Sequence, residues 1–177
     1  MKVTIDDLTE GVIAACVGAK MTLDQDLHLI REGLLKEVDE DVALGELFML
    51  RVSLAAYSVQ TFFSAGVQEQ SREAFGRRLH AVLLSAGDKR IKAQPNKVID
   101  EMNKRYHSYV EAIQTPHQLG APWNVGKVFA RLCGHERDVW VVMVGSAQFG
   151  GAMMAVTGFL KKCKTMDGGE VIRLPEK

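Results

Sequence analysis

The stretch Val139–Leu160, VWVVMVGSAQFGGAMMAVTGFL, contains no charged residue and is followed directly by Lys161 and Lys162. Its length is sufficient to cross a bilayer, since a spanning helix needs roughly 20 apolar residues. The stretch would equally suit the centre of a soluble helix bundle, because a helix that is apolar on all sides is normally buried. The choice between these two settings decides what kind of protein this is.

Three features favour a buried helix of a soluble protein. The stretch includes Ser146, Gln148, Thr157 and four glycines, which lower its hydropathy. The next apolar stretch, residues 52–67, has only 16 uncharged residues and several of them are polar. The rest of the chain has the amphipathic pattern of a bundle that needs an apolar element to pack around. The length, the small-residue spacing and the flanking lysines favour a membrane span, so a membrane-associated protein with one span at 139–160 is kept as the third interpretation.

The composition is that of an ordinary globular protein. The 177 residues are 47% hydrophobic and 25% charged, which fits one domain and argues against global disorder. The net charge is zero but unevenly spread: residues 1–46 hold 4 Lys and Arg against 11 Asp and Glu, and residues 71–105 hold 9 against 4. These two segments are expected to attract each other within one molecule or between copies. The alternative is a set of solvated helix faces that differ in sign.

Several functional classes are disfavoured by the sequence. The basic residues are dispersed and lack interleaved aromatic residues, so no nucleic-acid partner is expected. Cys16, Cys133 and Cys163 lie far apart in apolar surroundings and are interpreted as small buried hydrophobic residues. The N-terminus is acidic and has no apolar secretion signal, which favours a cytoplasmic location. No catalytic, metal-binding or cofactor-binding motif is recognised, so the sequence leans against an enzyme and assigns no catalytic residue.

The hydrophobic pattern is helical almost throughout and predicts an all-α fold. We expect a single-domain bundle of six or seven helices, residues 1–164, around the apolar glycine-rich C-terminal helix. Residues 165–177 form a tail that either docks or stays loose, and no strand is predicted before it. Thr4 is a suitable N-cap for the first helix, and Gly66 a suitable stop for the third. The predicted helices span about 4–17, 22–35, 38–65, 71–86, 95–114, 122–133 and 137–164.

The fifth predicted helix has the clearest signal. Pro95 lies where a first-turn proline is favoured. An apolar and aromatic seam then follows at spacings of three and four residues, which is typical of a helix that packs against its neighbours. The seam comprises Ile99, Met102, Tyr106, Tyr109 and Ile113.

The four glycines of the C-terminal helix, Gly145, Gly150, Gly151 and Gly158, predict close helix packing. Each glycine costs up to roughly 1 kcal/mol relative to alanine within a helix. A compensating feature is therefore required: a close contact, a kink or room for a ligand. We expect close packing, including across a dimer.

Glu46 and Arg51 interrupt an apolar run. They either form a buried polar pair that fixes helix register or binds a ligand, or reach the rim of the bundle, helped by the long stem of Arg51.

A predicted ligand-binding region lies between residues 106 and 123, where polar aromatic residues are concentrated. His107 and Glu111 are four residues apart and would lie on one helix face, as a base and its orienting partner or as two metal ligands. No metal motif supports the second interpretation, and a surface pair beside a packed loop is the simpler one. The predicted ligand-binding residues are Tyr106, His107, Glu111, His117 and Trp123.

The sequence favours a small soluble protein-interaction or assembly module that self-associates, most simply as a dimer, with an unknown protein partner. The alternative function is binding of a small apolar or aromatic ligand between helices, with methionines as adaptable walls.

Overall fold

The structure is a computed structural model that describes residues 2–17, 38–63, 65–85 and 95–165. Over these residues the all-α prediction is confirmed, with six helices in a bundle. The second predicted helix and residues 166–177 of the tail lie outside the described residues. The helices are α1 (Ile5–Val17), α2 (Glu40–Phe62), α3 (Ala65–Ser85), α4 (Pro95–Gln114), α5 (Gly120–Leu132) and α6 (Val139–Leu160).

A short parallel pairing joins the two ends of the described chain. Strand β1 (Lys2–Val3) pairs with strand β2 (Lys164–Thr165), with Lys2 opposite Lys164. Strand β1 was not predicted, because two residues are too few to show the alternation that marks a strand.

The start of α1 follows the prediction closely. The Thr4 hydroxyl accepts a hydrogen bond from the Asp7 backbone N–H at 3.1 Å, and the Asp7 carboxylate accepts one from the Thr4 N–H at 3.2 Å. This reciprocal pattern is a capping box, which satisfies two backbone donors at the helix start. The bonds from Thr4 to the carboxylate also hold the pKa of Asp7 below its usual value, because they stabilise the charged form.

The boundary between α2 and α3 differs from the prediction. We expected α2 to continue to about residue 65 and to stop at Gly66, but Gly66 lies inside α3. The chain instead breaks at Phe63, which is extended at φ −87° and ψ 142°. The side-chain amide of Gln68 donates hydrogen bonds to the carbonyls of Gln60 at 2.6 Å and Phe63 at 3.2 Å. Terminal carbonyls of α2 are thus satisfied by a side chain rather than by a glycine turn.

The later helices begin and end at recognisable signals. Gly120, at the start of α5, has a φ of +76° and lies two residues before the predicted start at Pro122. Gly134, with a φ of +80°, follows α5, as predicted. The Asp138 carboxylate caps α6 by accepting a hydrogen bond from the Trp140 N–H at 2.8 Å.

The seam of α4 is only partly enclosed. Met102 and Tyr109 are buried, and Tyr106 and Ile113 are half-buried. Ile99 is 43% exposed, so the enclosed part of the seam begins one turn later than predicted.

The most enclosed helix of the bundle is α2. It contacts every other described helix, and Leu47, Leu50 and Leu54 along it are almost fully buried. In its most apolar window α2 is 61% buried, against 33% for α6. A central position for the glycine-rich helix is therefore not confirmed: α6 packs on α5, α1 and α2 with one side only.

Candidate functional site

The open side of α6 is the most unusual surface of the described chain. Every exposed residue of this helix is apolar or glycine. Among the large ones, Trp140 is 53%, Met143 50% and Met154 72% exposed. We call this surface the α6 outer face; its members are Val139, Trp140, Met143, Ala147, Gly151, Met154, Ala155 and Gly158.

The outer face is continuous along the helix. Positions 140, 143, 147, 151, 154 and 158 are three or four residues apart and so lie on one side. The helix is about 33 Å long at 1.5 Å per residue. Within the described residues, α2 and α6 are the two helices long and apolar enough to cross a membrane, on length and composition alone.

The close glycine contacts of the structure involve one of the four predicted positions. A Cβ atom on Gly145 would lie 2.7 Å from Phe129 Cβ, and Gly126 of α5 is similarly closed in by the backbone of α6. Gly150, Gly151 and Gly158 have nothing within 4 Å of such an atom. The predicted close packing at these three glycines is thus not present within the described chain, because they lie away from α5.

Glu46 and Arg51 are both buried, at 7% and 3% exposed, so neither reaches the rim. The structure gives each a different partner. The Arg105 guanidinium holds the Glu46 carboxylate through Nε at 2.8 and 3.0 Å and a terminal nitrogen at 2.8 Å. The Arg51 guanidinium donates to Gln148 Oε1 at 2.7 Å. Through these partners Glu46 joins α2 to α4 and Arg51 joins α2 to α6.

Tyr109 is fully buried near the Glu46–Arg105 ion pair. Its hydroxyl has no hydrogen-bond partner among the described residues. Burial raises the pKa of this phenol well above its usual value, and the negative charge of Glu46 adds to the effect.

The cysteines are buried, in agreement with their sequence context. Burial raises the pKa of the Cys16 thiol to about 12, and burial together with the Glu46 charge does the same for the pKa of Cys133. These two thiols are held in the protonated, unreactive form at neutral pH.

The predicted ligand-binding residues do not converge on one pocket. The Tyr106 hydroxyl donates to Gln60 Oε1 at 2.8 Å, and the Tyr106 and His107 rings meet edge to face at 5.5 Å. His107, Glu111 and His117 are exposed, whereas Trp123 packs against the core. The described residues contain no group of three His, Cys, Asp or Glu side chains that could hold a metal ion.

A groove of about 180 Å³ lies between α3 and α4, on a floor formed by α2. It exists because α3 and α4 each pack on α2 but make little contact with each other. One end is apolar and the other is polar, at the Gln60–Tyr106 hydrogen bond. Its lining is Met49, Val52, Ser53, Ala56, Gln60, Phe75, Leu79, Met102, Asn103 and Tyr106.

The opposite charges of the two chain segments meet within one molecule. Arg77 of α3 lies 3.5 Å from the Asp6 carboxylate of α1, and Arg78 is paired with Glu10. All four side chains are more than half exposed, so these ion pairs contribute little to stability but orient α1 on α3.

Sequence reasoning missed the partners Arg105, Gln148 and Gln60, which lie 59, 97 and 46 residues from the groups they bond. No local pattern signals such pairs.

Comparisons of the chain with protein-family models, with curated proteins and with solved structures gave no match.

Proposed function

We propose that this protein is a cytoplasmic protein-interaction or assembly module that makes its contacts through the α6 outer face. The observation that carries the proposal is the exposure of Trp140, Met143 and Met154 on one uncharged helix surface. Large contiguous apolar patches are rarely exposed on monomeric soluble proteins, and where they occur they commonly mark binding surfaces.

The other helices show what a solvated surface looks like in this chain. The exposed side of α4, for example, carries Lys97, Asp100, Lys104 and Glu111. Over 22 residues α6 has no such group. Contact between water and this much apolar surface is unfavourable. A complex in which a partner covers the outer face would therefore be stabilised by the burial of that surface.

Small residues on the outer face suit a helical partner. Ala147, Gly151 and Ala155 follow each other at intervals of four, and Gly151 has open space where a Cβ would stand. A second helix can approach closely along such a line, which increases the van der Waals contact of both backbones.

A membrane is the competing partner for the same face. Lys127 and Arg131 of α5, the helix that packs most extensively against α6, are both exposed. If α6 crossed a bilayer in this packed arrangement, those charges would be carried towards the hydrocarbon, which is costly. This argument favours a protein partner.

The test is the substitution Gly151→Leu, with Gly76→Leu on α3 as its matched control. Both glycines are helical, exposed and free of neighbours within 4 Å, so both variants are expected to fold. Sedimentation velocity without detergent should show assembly for the native protein and for Gly76→Leu, and its loss for Gly151→Leu. A native protein that stays monomeric and partitions into phosphatidylcholine vesicles would support the membrane instead and overturn the proposal.

The groove between α3 and α4 favours a second candidate function, binding of a small aromatic ligand that carries one polar group. Its volume is of the order of the engineered cavities of about 150 Å³ that bind benzene, and Met49, Phe75 and Met102 give adaptable apolar walls. Indole should raise the melting temperature of the native protein but not of Ala56→Phe, in which the groove floor is filled. An equal shift in both would argue against binding in the groove.

A further inference from the structure

The sizes of the residues along the α6 outer face suit packing against a second copy of the helix in one relative direction. Its central positions decrease in size along the helix, from Trp140 near the start through Ala147 and Gly151 in the middle to Gly158 near the end. Resting on the proposed function, we infer that the partner is a second copy of this chain, and that two α6 helices pack antiparallel around a two-fold axis close to Phe149.

Antiparallel packing matches bulky residues with small ones. When two helices run in opposite directions about a point near position 149, Trp140 of one copy stands opposite Gly158 of the other. Ala147 then stands opposite Gly151. A Cβ atom added to Gly158 would have no neighbour within 4 Å, so the indole ring meets open space and can lie close to the backbone of the second copy.

The exposed methionines of the outer face, Met143 and Met154, fit the same two-fold arrangement. At 100° per residue, Met143 and Met154 lie towards the same edge of the outer face, and the point halfway between them is also close to position 149. A two-fold axis perpendicular to both helices places a given edge of one outer face beside the same edge of the other. Met143 would therefore contact Met154 of the second copy. Methionine side chains adapt to one another's shape, which suits a contact at the rim of an interface. Three residue pairs therefore share one centre.

The charges at the helix ends favour the same direction. Glu136 and Asp138, with Arg137 between them, give the N-terminal end a net charge of −1, and Lys161 and Lys162 give the C-terminal end +2. Antiparallel packing places the negatively charged end of one helix beside the positively charged end of the other. It also aligns the two helix dipoles in opposite directions, which is favourable. Parallel packing would bring four lysines together and would place Trp140 against Trp140.

The size of the surface sets the strength of the contact. A strip about 33 Å long and about 10 Å wide covers roughly 330 Å² on each copy, which is below the area of stable specific interfaces and in the range of weak, transient ones. We therefore expect a dimer that dissociates on dilution, rather than one that survives purification at any concentration.

Disulfide trapping tests the direction. In the antiparallel pair the two Trp140 positions are about 27 Å apart along the axis, whereas in a parallel pair they are neighbours. Trp140→Cys and Gly158→Cys proteins should each fail to cross-link alone under mild oxidation but should cross-link when mixed. Met143→Cys mixed with Met154→Cys provides a second pair, which leaves Trp140 in place. Lys104→Cys on α4, where the side chain is 73% exposed, is the control for random collision.

The outcomes separate this inference from the proposed function. Cross-linking in both mixtures, with none in the single variants or the control, supports the antiparallel pair. Cross-linking of Trp140→Cys with itself, in a protein that sediments as a dimer, overturns the direction but leaves self-association intact. A native protein that is monomeric at high concentration overturns both.

Discussion

Gly145 of α6 lies so close to Phe129 of α5 that a methyl group at this glycine would stand 2.7 Å from Phe129 Cβ. Carbon atoms do not approach this closely without displacement, and the nearby atoms belong to the base of the side chain rather than to a mobile tip. The α5–α6 contact is the largest between described helices. Its geometry therefore depends on the absence of a side chain at Gly145.

The first prediction follows from this contact. Gly145→Ala should lower the free energy of unfolding by about 1 kcal/mol, because overpacking costs about 1–3 kcal/mol and offsets a helix-propensity gain of roughly 1 kcal/mol. Gly150→Ala, on the same helix but free of neighbours, should instead raise stability by about 0.5–1 kcal/mol. Urea denaturation of both variants measures the difference. Equal gains in the two would show that α5 and α6 are not in close contact.

The second prediction concerns the buried ion pair. Glu46→Ala should destabilise the protein by about 3 kcal/mol, since removal of one partner leaves a largely buried arginine without its main carboxylate. Arg105 keeps its contact with Glu101, which places the cost at the lower end of the range for such pairs.

The matched control is Arg77→Ala, which removes an exposed pair and should cost less than about 1 kcal/mol. Chemical denaturation at low and high salt separates the two cases, because salt screens only the exposed pair effectively. Similar losses for both variants would place Glu46 at the surface.

The third prediction uses the buried thiols. Because burial raises the pKa of Cys16 and of Cys133 to about 12 from an ordinary 9, iodoacetamide at pH 8 should modify neither in the folded protein and both in urea.

The same shift predicts a pH dependence. The folded state holds these protons more tightly than the unfolded state, so their contribution to stability is complete below pH 9 and is lost as the pH rises from 9 to 12. A Cys16→Ala, Cys133→Ala double variant should show a smaller loss of stability between pH 8 and pH 11. An unchanged pH profile would mean that the thiols are solvated.

The starts of α1 and α6 were predicted closely from the sequence, because capping is local, whereas α3 begins at Ala65 and was expected to begin only near Ser71. Thr4 and Asp138 each bond to a backbone N–H two or three residues away, and such signals are visible in a short window. The end of α2 was predicted wrongly because the side chain of Gln68, from the next helix, replaces the expected glycine signal.

The candidate site was harder to anticipate for a related reason. A helix that is apolar on every side has no preferred buried face in its pattern, so the sequence of α6 does not reveal which side packs. In the structure, Gly126 and Phe129 of α5 pack against the side of α6 that carries Gly145. The opposite side of α6, with Ala147 and Gly151, is therefore left exposed. Which side is exposed depends on contacts in the folded protein and not on the periodicity of the sequence.

The two tyrosines of α4 provide the last prediction, because their hydroxyl groups are in opposite situations. Tyr109→Phe removes a buried hydroxyl that has no partner among the described residues, and should leave stability unchanged or raise it by up to about 1 kcal/mol. Tyr106→Phe removes a hydrogen bond to Gln60 and should lower stability by about 0.5–1 kcal/mol. Thermal denaturation of the two variants under the same conditions makes the comparison. If Tyr109→Phe is the more damaging change, the Tyr109 hydroxyl makes a favourable polar contact in the folded protein, and the prediction is wrong.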